Sequence, residues 1–171
     1  MPGLSFFRTF CRSLGSVDLK RTILYVDDEA DNLIVFQATF AEQFEVLVAS
    51  SAQEALSILE QTPVAVVVSD QRMPQTTGVE LFGILRQKHP HTQRILLTGY
   101  AEPKAMIDAI NIGQVFYYAS KPWDCPYLEQ VLLKAVEIHD ISVSVAERSR
   151  LLAKENNELR AALAEACELR E

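Results

Sequence analysis

The stretch Val64-Ala65-Val66-Val67-Val68-Ser69-Asp70 gives the strongest β-strand signal in the chain. Residues 64–68 are apolar at consecutive positions, and four of these five are the β-branched residue valine. An unbroken apolar run is typical of a parallel strand that is covered on both faces, because neither face then needs polar side chains for water. We therefore predict a strand of a parallel sheet over residues 64–68.

Strand and helix signals alternate outward from this run along residues 21–140. Short apolar runs predict the other strands at residues 23–26, 46–48, 95–97 and 115–118. Apolar residues at helical spacing predict five helices, marked by Leu33/Phe36/Phe40, Ala52/Ala55/Leu56/Leu59, Val79/Phe82/Leu85, Met106/Ile107/Ile110 after Pro103, and Leu128/Val131/Leu132/Ala135. Ser51 and Glu54 predict a capping box at the start of the second helix. Five β-α units predict an α/β fold, a doubly wound five-stranded parallel sheet.

The composition limits the class of protein. The 171 residues are 49% hydrophobic and 23% charged, as in a soluble globular protein, and no apolar run approaches the ~20 residues that cross a bilayer. A net charge of −7 argues against direct DNA binding. The three cysteines (Cys11, Cys125 and Cys167) are too few and too far apart for a disulfide framework. Without a secretory segment, we expect a cytoplasmic location.

Polar residues follow four of the predicted strands. Asp27 and Asp28 follow the first, Asp70 follows the third, Thr98 the fourth and Lys121 the fifth. Since ligands of an open parallel sheet bind at the carboxyl ends of its strands, we expect these residues to meet at one edge. Clustered carboxylates repel each other unless a cation is present, and oxygen ligands suit Mg²⁺. One carboxylate can then accept a phosphoryl group, which a hydroxyl and an ammonium would stabilise.

The same residues resemble the receiver domain of two-component response regulators, the CheY-like family. The similarity covers about 120 residues of the 171. Its motifs are Asp27-Asp28-Glu29, Asp70-Gln71-Arg72-Met73-Pro74 with Gly78, Thr98-Gly99-Tyr100 and Lys121-Pro122-Trp123. The resemblance implies a flavodoxin-like fold, a Mg²⁺ cofactor, and a sensor histidine kinase or phosphotransfer protein as partner.

The resemblance also implies a role for each site residue. Asp70 is the expected phosphoacceptor. Asp28, Asp70 and the backbone carbonyl of Arg72 are the expected direct Mg²⁺ ligands, with Asp27 reaching the metal through water. Thr98 and Lys121 are the expected phosphate partners, and Tyr118 is the aromatic residue expected to swing inward with Thr98.

A coiled-coil helix is predicted for residues 141–171. The heptad pattern places Ile138, Val145, Leu152, Leu159 and Ala166 at d positions, and Ala135, Ser142, Ser149, Asn156 and Leu163 at a positions. An Asn at a between Leu residues at d favours a parallel dimer, so Leu152, Asn156, Leu159 and Leu163 are the predicted dimer contacts. The alternative is an exposed helix or a linker.

We expect a leader over residues 1–20, a receiver domain over 21–140 and the coiled coil beyond it. The predicted function is an aspartate-phosphorylated switch, with no enzymatic activity beyond phosphoryl acceptance and self-dephosphorylation. The alternatives are a phosphate-independent scaffold, the N-terminal part of a larger response regulator, and a phosphohydrolase; the last lacks a second acid beside Asp70 in an Asp-x-Asp arrangement. His89, His91 and His139 show no metal-ligand spacing and are predicted to be surface residues.

Overall fold

The computed structural model describes residues 20–99 and 115–168, with side chains described up to residue 160. These residues form a five-stranded sheet in the order β2-β1-β3-β4-β5, with every neighbouring pair parallel. The strands are β1 (Thr22–Val26), β2 (Glu45–Ala49), β3 (Val66–Asp70), β4 (Gln93–Thr98) and β5 (Tyr117–Ser120). The predicted doubly wound parallel sheet is confirmed. β3 and β5 each begin and end two residues later than predicted, so that each strand includes the polar residue at its end.

Four helices lie within the described residues. They are α1 (Ala30–Phe40), α2 (Ala52–Gln61), α3 (Gly78–Lys88) and α4 (Cys125–Glu168). The predicted helix around Pro103, Met106, Ile107 and Ile110 lies outside the described residues, as do residues 1–19 of the predicted leader and Tyr100. None of the described helices is long and apolar enough to cross a membrane.

Both faces of the sheet are covered by helices. On one face, Leu24, Val67 and Leu96 belong to a buried cluster with α2 and α3. On the other, alternate residues of the same strands pack against α1 and the first turns of α4. All five residues of β3 are buried, as the unbroken valine run predicts. The polar residues that end the strands therefore stand at the carboxyl edge, between two apolar layers.

The helix starts differ in how they are capped. Ser51 Oγ accepts a hydrogen bond from the Glu54 N–H at 3.3 Å, which is half of the predicted capping box. The return bond is not made to Ser51: Glu54 Oε2 accepts from the N–H and the hydroxyl of Ser50, both at 2.7 Å. A complete capping box is found instead at α3, between Thr77 and Glu80.

The helix α4 has 44 residues and begins as part of the body of the protein. Leu128, Leu132 and Ala135 are almost fully buried in its first turns. About two turns later, Ser142 Oγ lies 2.6 Å from His91 Nδ1 in the α3–β4 loop. The predicted a positions Ala135 and Ser142 therefore face the body and not a partner helix. Only heptad positions after Ser142 are therefore available to a partner helix.

Two of the three histidines, which were predicted to be surface residues, keep partial exposure and are also part of this attachment. His91 and His139 are half-buried, and His139 Nδ1 lies 3.0 Å from the backbone oxygen of His91. An exposed ion pair between Arg21 and Asp140, at 3.0 Å, lies beside them. The loop before β4 and the start of β1 thus both contact α4 near residue 140.

Candidate functional site

The register of the sheet brings the predicted site residues to one edge. Asp70 pairs with Leu97 of β4, so that the end of β3 lies beside Thr98. Thr98 pairs with Ser120 of β5, and its backbone oxygen accepts a hydrogen bond from the Lys121 N–H at 2.7 Å. Three neighbouring strands therefore end next to each other with a carboxylate, a hydroxyl and an ammonium.

The ammonium of Lys121 joins the two acidic strand ends. Its Nζ lies 2.6 Å from Asp27 Oδ2 and 2.6 Å from Asp70 Oδ1. All three groups are largely shielded from water, with side-chain exposures of 18% for Lys121, 1% for Asp27 and 10% for Asp70. Burial alone would lower the pKa of Lys121, but the hydrogen bonds to the two carboxylates outweigh it and raise that pKa. The lysine therefore stays charged between the two acids.

The carboxylate of Asp27 is held by four donors. Oδ1 accepts hydrogen bonds from the Glu29 N–H at 3.0 Å and from Asn32 Nδ2 at 3.1 Å. Oδ2 accepts from the Tyr25 hydroxyl at 2.5 Å and from Lys121 Nζ. Burial opposes ionisation of Asp27, but these four bonds together lower its pKa. Asp27 is thus a fixed anion although it is almost fully buried.

Asp70 is positioned by its own backbone surroundings. Its Oδ2 accepts a hydrogen bond from the Arg72 N–H, and its backbone oxygen accepts one from Ser69 Oγ at 2.8 Å. The Cα of Gly78, at the start of α3, approaches that backbone oxygen closely. A Cβ at position 78 would overlap the oxygen and would also lie 2.7 Å from Leu96 Cδ1. Only glycine fits there without displacing the chain that carries Asp70.

The remaining predicted site residues differ in how far they are buried. Asp28 is exposed, and within residues 20–99 and 115–168 no three acidic, histidine or cysteine side chains surround a common point. Arg72 has an exposed side chain, and Thr98 is buried at the end of β4. Tyr118 is half-buried and packs against the cluster under α2 and α3. The structure therefore groups Asp27, Asp70 and Lys121, with Thr98 adjacent, and leaves Asp28 at the rim.

The donor chemistry at this edge fits Mg²⁺. Two buried carboxylates already share one positive charge, that of Lys121, and a third carboxylate stands next to Asp27 in the chain. Carboxylate and backbone carbonyl oxygens are hard ligands, which Mg²⁺ prefers over the nitrogen and sulfur ligands of zinc sites.

Two residues that hold Asp27 were not predicted from the sequence. Tyr25 and Asn32 both donate to its carboxylate. Tyr25 had a usable signal, since it is the one hydroxyl-bearing residue of the apolar run 23–26 and stands two residues before Asp27, on the same side of the strand. Asn32 had none, because its contact depends on how α1 follows the loop after β1.

The predicted dimer contacts lie on the exposed part of α4. Leu152 and Leu159 are 59% and 63% exposed, and Val145 is 58% exposed one heptad earlier. Asn156 Nδ2 donates to the backbone oxygen of Leu152 at 3.1 Å. The side chain of Leu163 lies outside the described residues. The described part of the stripe is therefore apolar and uncovered in the single chain.

Known proteins resemble this chain over the same region. A family model described as the response regulator receiver domain matches residues 23–133. The hydrogenase transcriptional regulatory protein HoxA of Cupriavidus necator is 38% identical over 120 residues, which are 70% of this chain and 25% of that protein. The solved signal receiver domain of an HD domain-containing protein from Pseudomonas fluorescens has a TM-score of 0.69 at 34% identity, covering 71% of this chain and 98% of that one.

A second solved structure, of adenylate cyclase from Rhodopirellula baltica, has a TM-score of 0.71 at 29% identity and covers 75% of this chain and 96% of that one. The chain spans about a quarter of the length of the first curated relatives that it matches.

Proposed function

Because this chain belongs to the response regulator receiver domain family, we propose that it is a switch that is turned on by phosphorylation of Asp70. Receiver domains of this family interact with histidine kinases or phosphotransfer proteins, and the family is generally a signalling and not an enzymatic one. The observation that carries the proposal is the position of Lys121 Nζ, 2.6 Å from both Asp27 and Asp70 at the carboxyl edge of the sheet.

The chemistry follows from the position of Asp70. One carboxylate oxygen attacks the phosphorus of a phosphohistidine on the donor protein, a P–O bond forms and the P–N bond breaks. The donor imidazole keeps the electron pair of the broken bond and takes a proton from solvent. Lys121 then exchanges its contact with the Asp70 carboxylate for one with a phosphoryl oxygen, which needs little movement because it already lies beside Oδ1.

Receiver domains bind Mg²⁺, and the residues that would hold it here are Asp28, Asp70 and the backbone carbonyl of Arg72, with Asp27 acting through water. The ion, when bound, neutralises part of the negative charge of the two acids and of the incoming phosphoryl group. Asp28 is exposed at the rim, so its side chain is free to turn toward a cation without losing a buried contact.

The switch would pass from the site to the fifth strand. The Lys121 N–H donates to the backbone oxygen of Thr98 and ties the ends of β4 and β5 together, so a shift of one strand end would be passed to the other. Tyr118 lies three residues before Lys121 on β5 and is half-buried, which suits a side chain that changes its burial with the position of Thr98. This is a local charge change with a distant readout.

The readout that we propose is a dimer of two copies through α4. Leu128 and Leu132 fix the start of this helix in the body, and the same helix then presents Val145, Leu152 and Leu159 to solvent at intervals of seven. A second copy would cover this stripe, with Asn156 and Leu163 at a positions. Because the helix is continuous, a rotation of its first turns would also rotate the apolar stripe of each copy relative to the stripe of the other copy.

Intact-mass spectrometry tests the phosphorylation step. The parent chain, Asp70→Asn and the matched control Asp31→Asn, an exposed acid in the first turn of α1, are each incubated with Mg²⁺ and acetyl phosphate. We expect one phosphoryl adduct on the parent and on Asp31→Asn, and none on Asp70→Asn or on the parent in EDTA. An unmodified parent with both acetyl phosphate and a phosphohistidine donor would favour the phosphate-independent scaffold instead.

A further inference from the structure

A tyrosine hydroxyl is buried beside the acidic site. Tyr25 is 0% exposed, and its neighbours in β1 are the apolar residues Leu24 and Val26. A buried hydroxyl without a partner costs about 1–3 kcal/mol, so the side chain needs an acceptor inside the protein. That acceptor is Asp27 Oδ2, at 2.5 Å. The apolar layer thus contributes one strong, charge-assisted hydrogen bond to the site.

The tyrosine ring has little freedom to move. It stacks on Phe36 of α1 at a centroid distance of 4.1 Å and an interplanar angle of 16°. Trp123, two residues after Lys121, meets the rings of Tyr25 and Phe36 edge-on, with centroid distances of 6.3 and 6.1 Å. Withdrawing the hydroxyl from Asp27 would require this aromatic cluster to open. The direction of the Tyr25 hydroxyl is therefore set by the packing of the three rings.

The other donors to Asp27 differ from Tyr25 in their rigidity or in the carboxylate oxygen to which they donate. Lys121 is the second donor to Oδ2, but it has a flexible stem and is shared with Asp70. Glu29 and Asn32 donate to Oδ1 and do not touch Oδ2. Of the groups that reach Oδ2, the tyrosine hydroxyl is thus the one whose position does not depend on the state of the site.

We propose that Tyr25 is a positioning residue for the cation site, which fixes the Asp27 carboxylate in the orientation that faces Lys121 and an entering Mg²⁺. The inference rests on the proposed function, because it takes Asp27 to belong to a Mg²⁺ site. Residues that orient a metal-binding carboxylate typically change metal affinity 10–100-fold when they are removed.

The test is a Mg²⁺ titration of the full chain and of Tyr25→Phe, which keeps the ring and removes only the hydroxyl. Isothermal calorimetry gives the dissociation constant, and the emission of Trp123, the one tryptophan of the chain, reports the aromatic cluster. We expect Mg²⁺ to bind about tenfold more weakly to Tyr25→Phe than to the parent. The matched control is Tyr127→Phe, which removes an exposed hydroxyl that pairs with Tyr117 at 3.0 Å and should leave the affinity unchanged.

Urea unfolding in EDTA separates positioning from a purely structural role, which would lower the unfolding free energy without changing the Mg²⁺ affinity. Equal or tighter binding of Mg²⁺ by a folded Tyr25→Phe would overturn the inference and leave the proposed function standing. A parent chain that binds no Mg²⁺ would contradict the proposed function itself. If Tyr25→Phe does not fold, the Mg²⁺ affinity of Phe36→Leu is measured instead. This variant keeps the tyrosine hydroxyl but removes the ring on which Tyr25 stacks. A Mg²⁺ affinity equal to that of the parent would also overturn the inference.

Discussion

Replacing Lys121 by methionine should destabilise the metal-free protein by about 3 kcal/mol, because it removes the positive charge between Asp27 and Asp70. The Lys121 ammonium lies 2.6 Å from an oxygen of each acid, so the two carboxylate oxygens are at most twice that distance apart. Two unit charges about 5 Å apart repel by roughly 3 kcal/mol at an effective dielectric constant of ~20. Loss of one partner from a buried ion pair has a cost of similar size, about 3–5 kcal/mol.

The assay is urea unfolding followed by circular dichroism, in EDTA and then in Mg²⁺. At neutral pH, Lys121→Met should unfold at lower urea than the parent, and Mg²⁺ should return part of the loss by supplying a cation to the same carboxylates. The control is Lys134→Met, an exposed lysine of α4, which should differ from the parent by less than about 0.5 kcal/mol. A Lys121→Met protein as stable as the parent in EDTA would refute this account of the site.

The pH dependence gives a second check on the same variant. The folded pKa of Asp27 is lowered from its ordinary 3.8, so its contribution to stability is complete above that value and is lost as the pH falls through the folded pKa. The folded pKa of Lys121 is raised from 10.5, so its contribution is complete below that value and is lost as the pH rises through the folded pKa. Acidification protonates the carboxylates, so the stability gap between the parent and Lys121→Met should close at low pH and stay open between these limits.

Three further changes test other parts of the molecule. Gly78→Ala should lower the unfolding free energy in urea by about 1–3 kcal/mol, because the added methyl group overlaps the backbone oxygen of Asp70. Leu152→Glu should turn a dimer into a monomer in light scattering after gel filtration, whereas Leu151→Glu, equally exposed but off the seam, should leave the dimer intact. Ser142→Ala should lower the free energy of unfolding by about 1 kcal/mol in a thermal melt, since it removes a half-buried hydrogen bond between α4 and the body. The control Asp140→Asn should lower it by less than about 0.5 kcal/mol, because the ion pair of Asp140 is exposed.

The attachment of α4 to the body explains a weakness in the predicted heptads. Ser142 is a poor a residue for a coiled coil, and in the structure it does not belong to the seam but contacts His91. Ala135 is likewise buried in the body. A heptad pattern records only the spacing of residues along a helix, and a helix that first packs on its own domain has the same spacing. The seam of the proposed dimer would therefore begin at Val145 and not at residue 135.

The sequence by itself determined the order of strands and helices and the identity of the acids, the hydroxyl and the lysine at the strand ends. These are local properties, because the unbroken valines of β3 and the apolar spacing of each helix report their burial without reference to a partner. The parallel sheet then places the ends of β1, β3, β4 and β5 at one edge whatever the details of the loops.

Only the tertiary structure decided which of these side chains meet. It paired Lys121 with Asp27 and Asp70, left Asp28 exposed, and turned the hydroxyl of Tyr25 onto Asp27. Such contacts depend on strand register, on the course of each loop and on ring packing between elements far apart in the chain. The sequence specifies the chemistry of each residue but not the distances between residues. Asp27, Asp70 and Lys121 form one site because the folded chain brings the lysine to 2.6 Å from each acid.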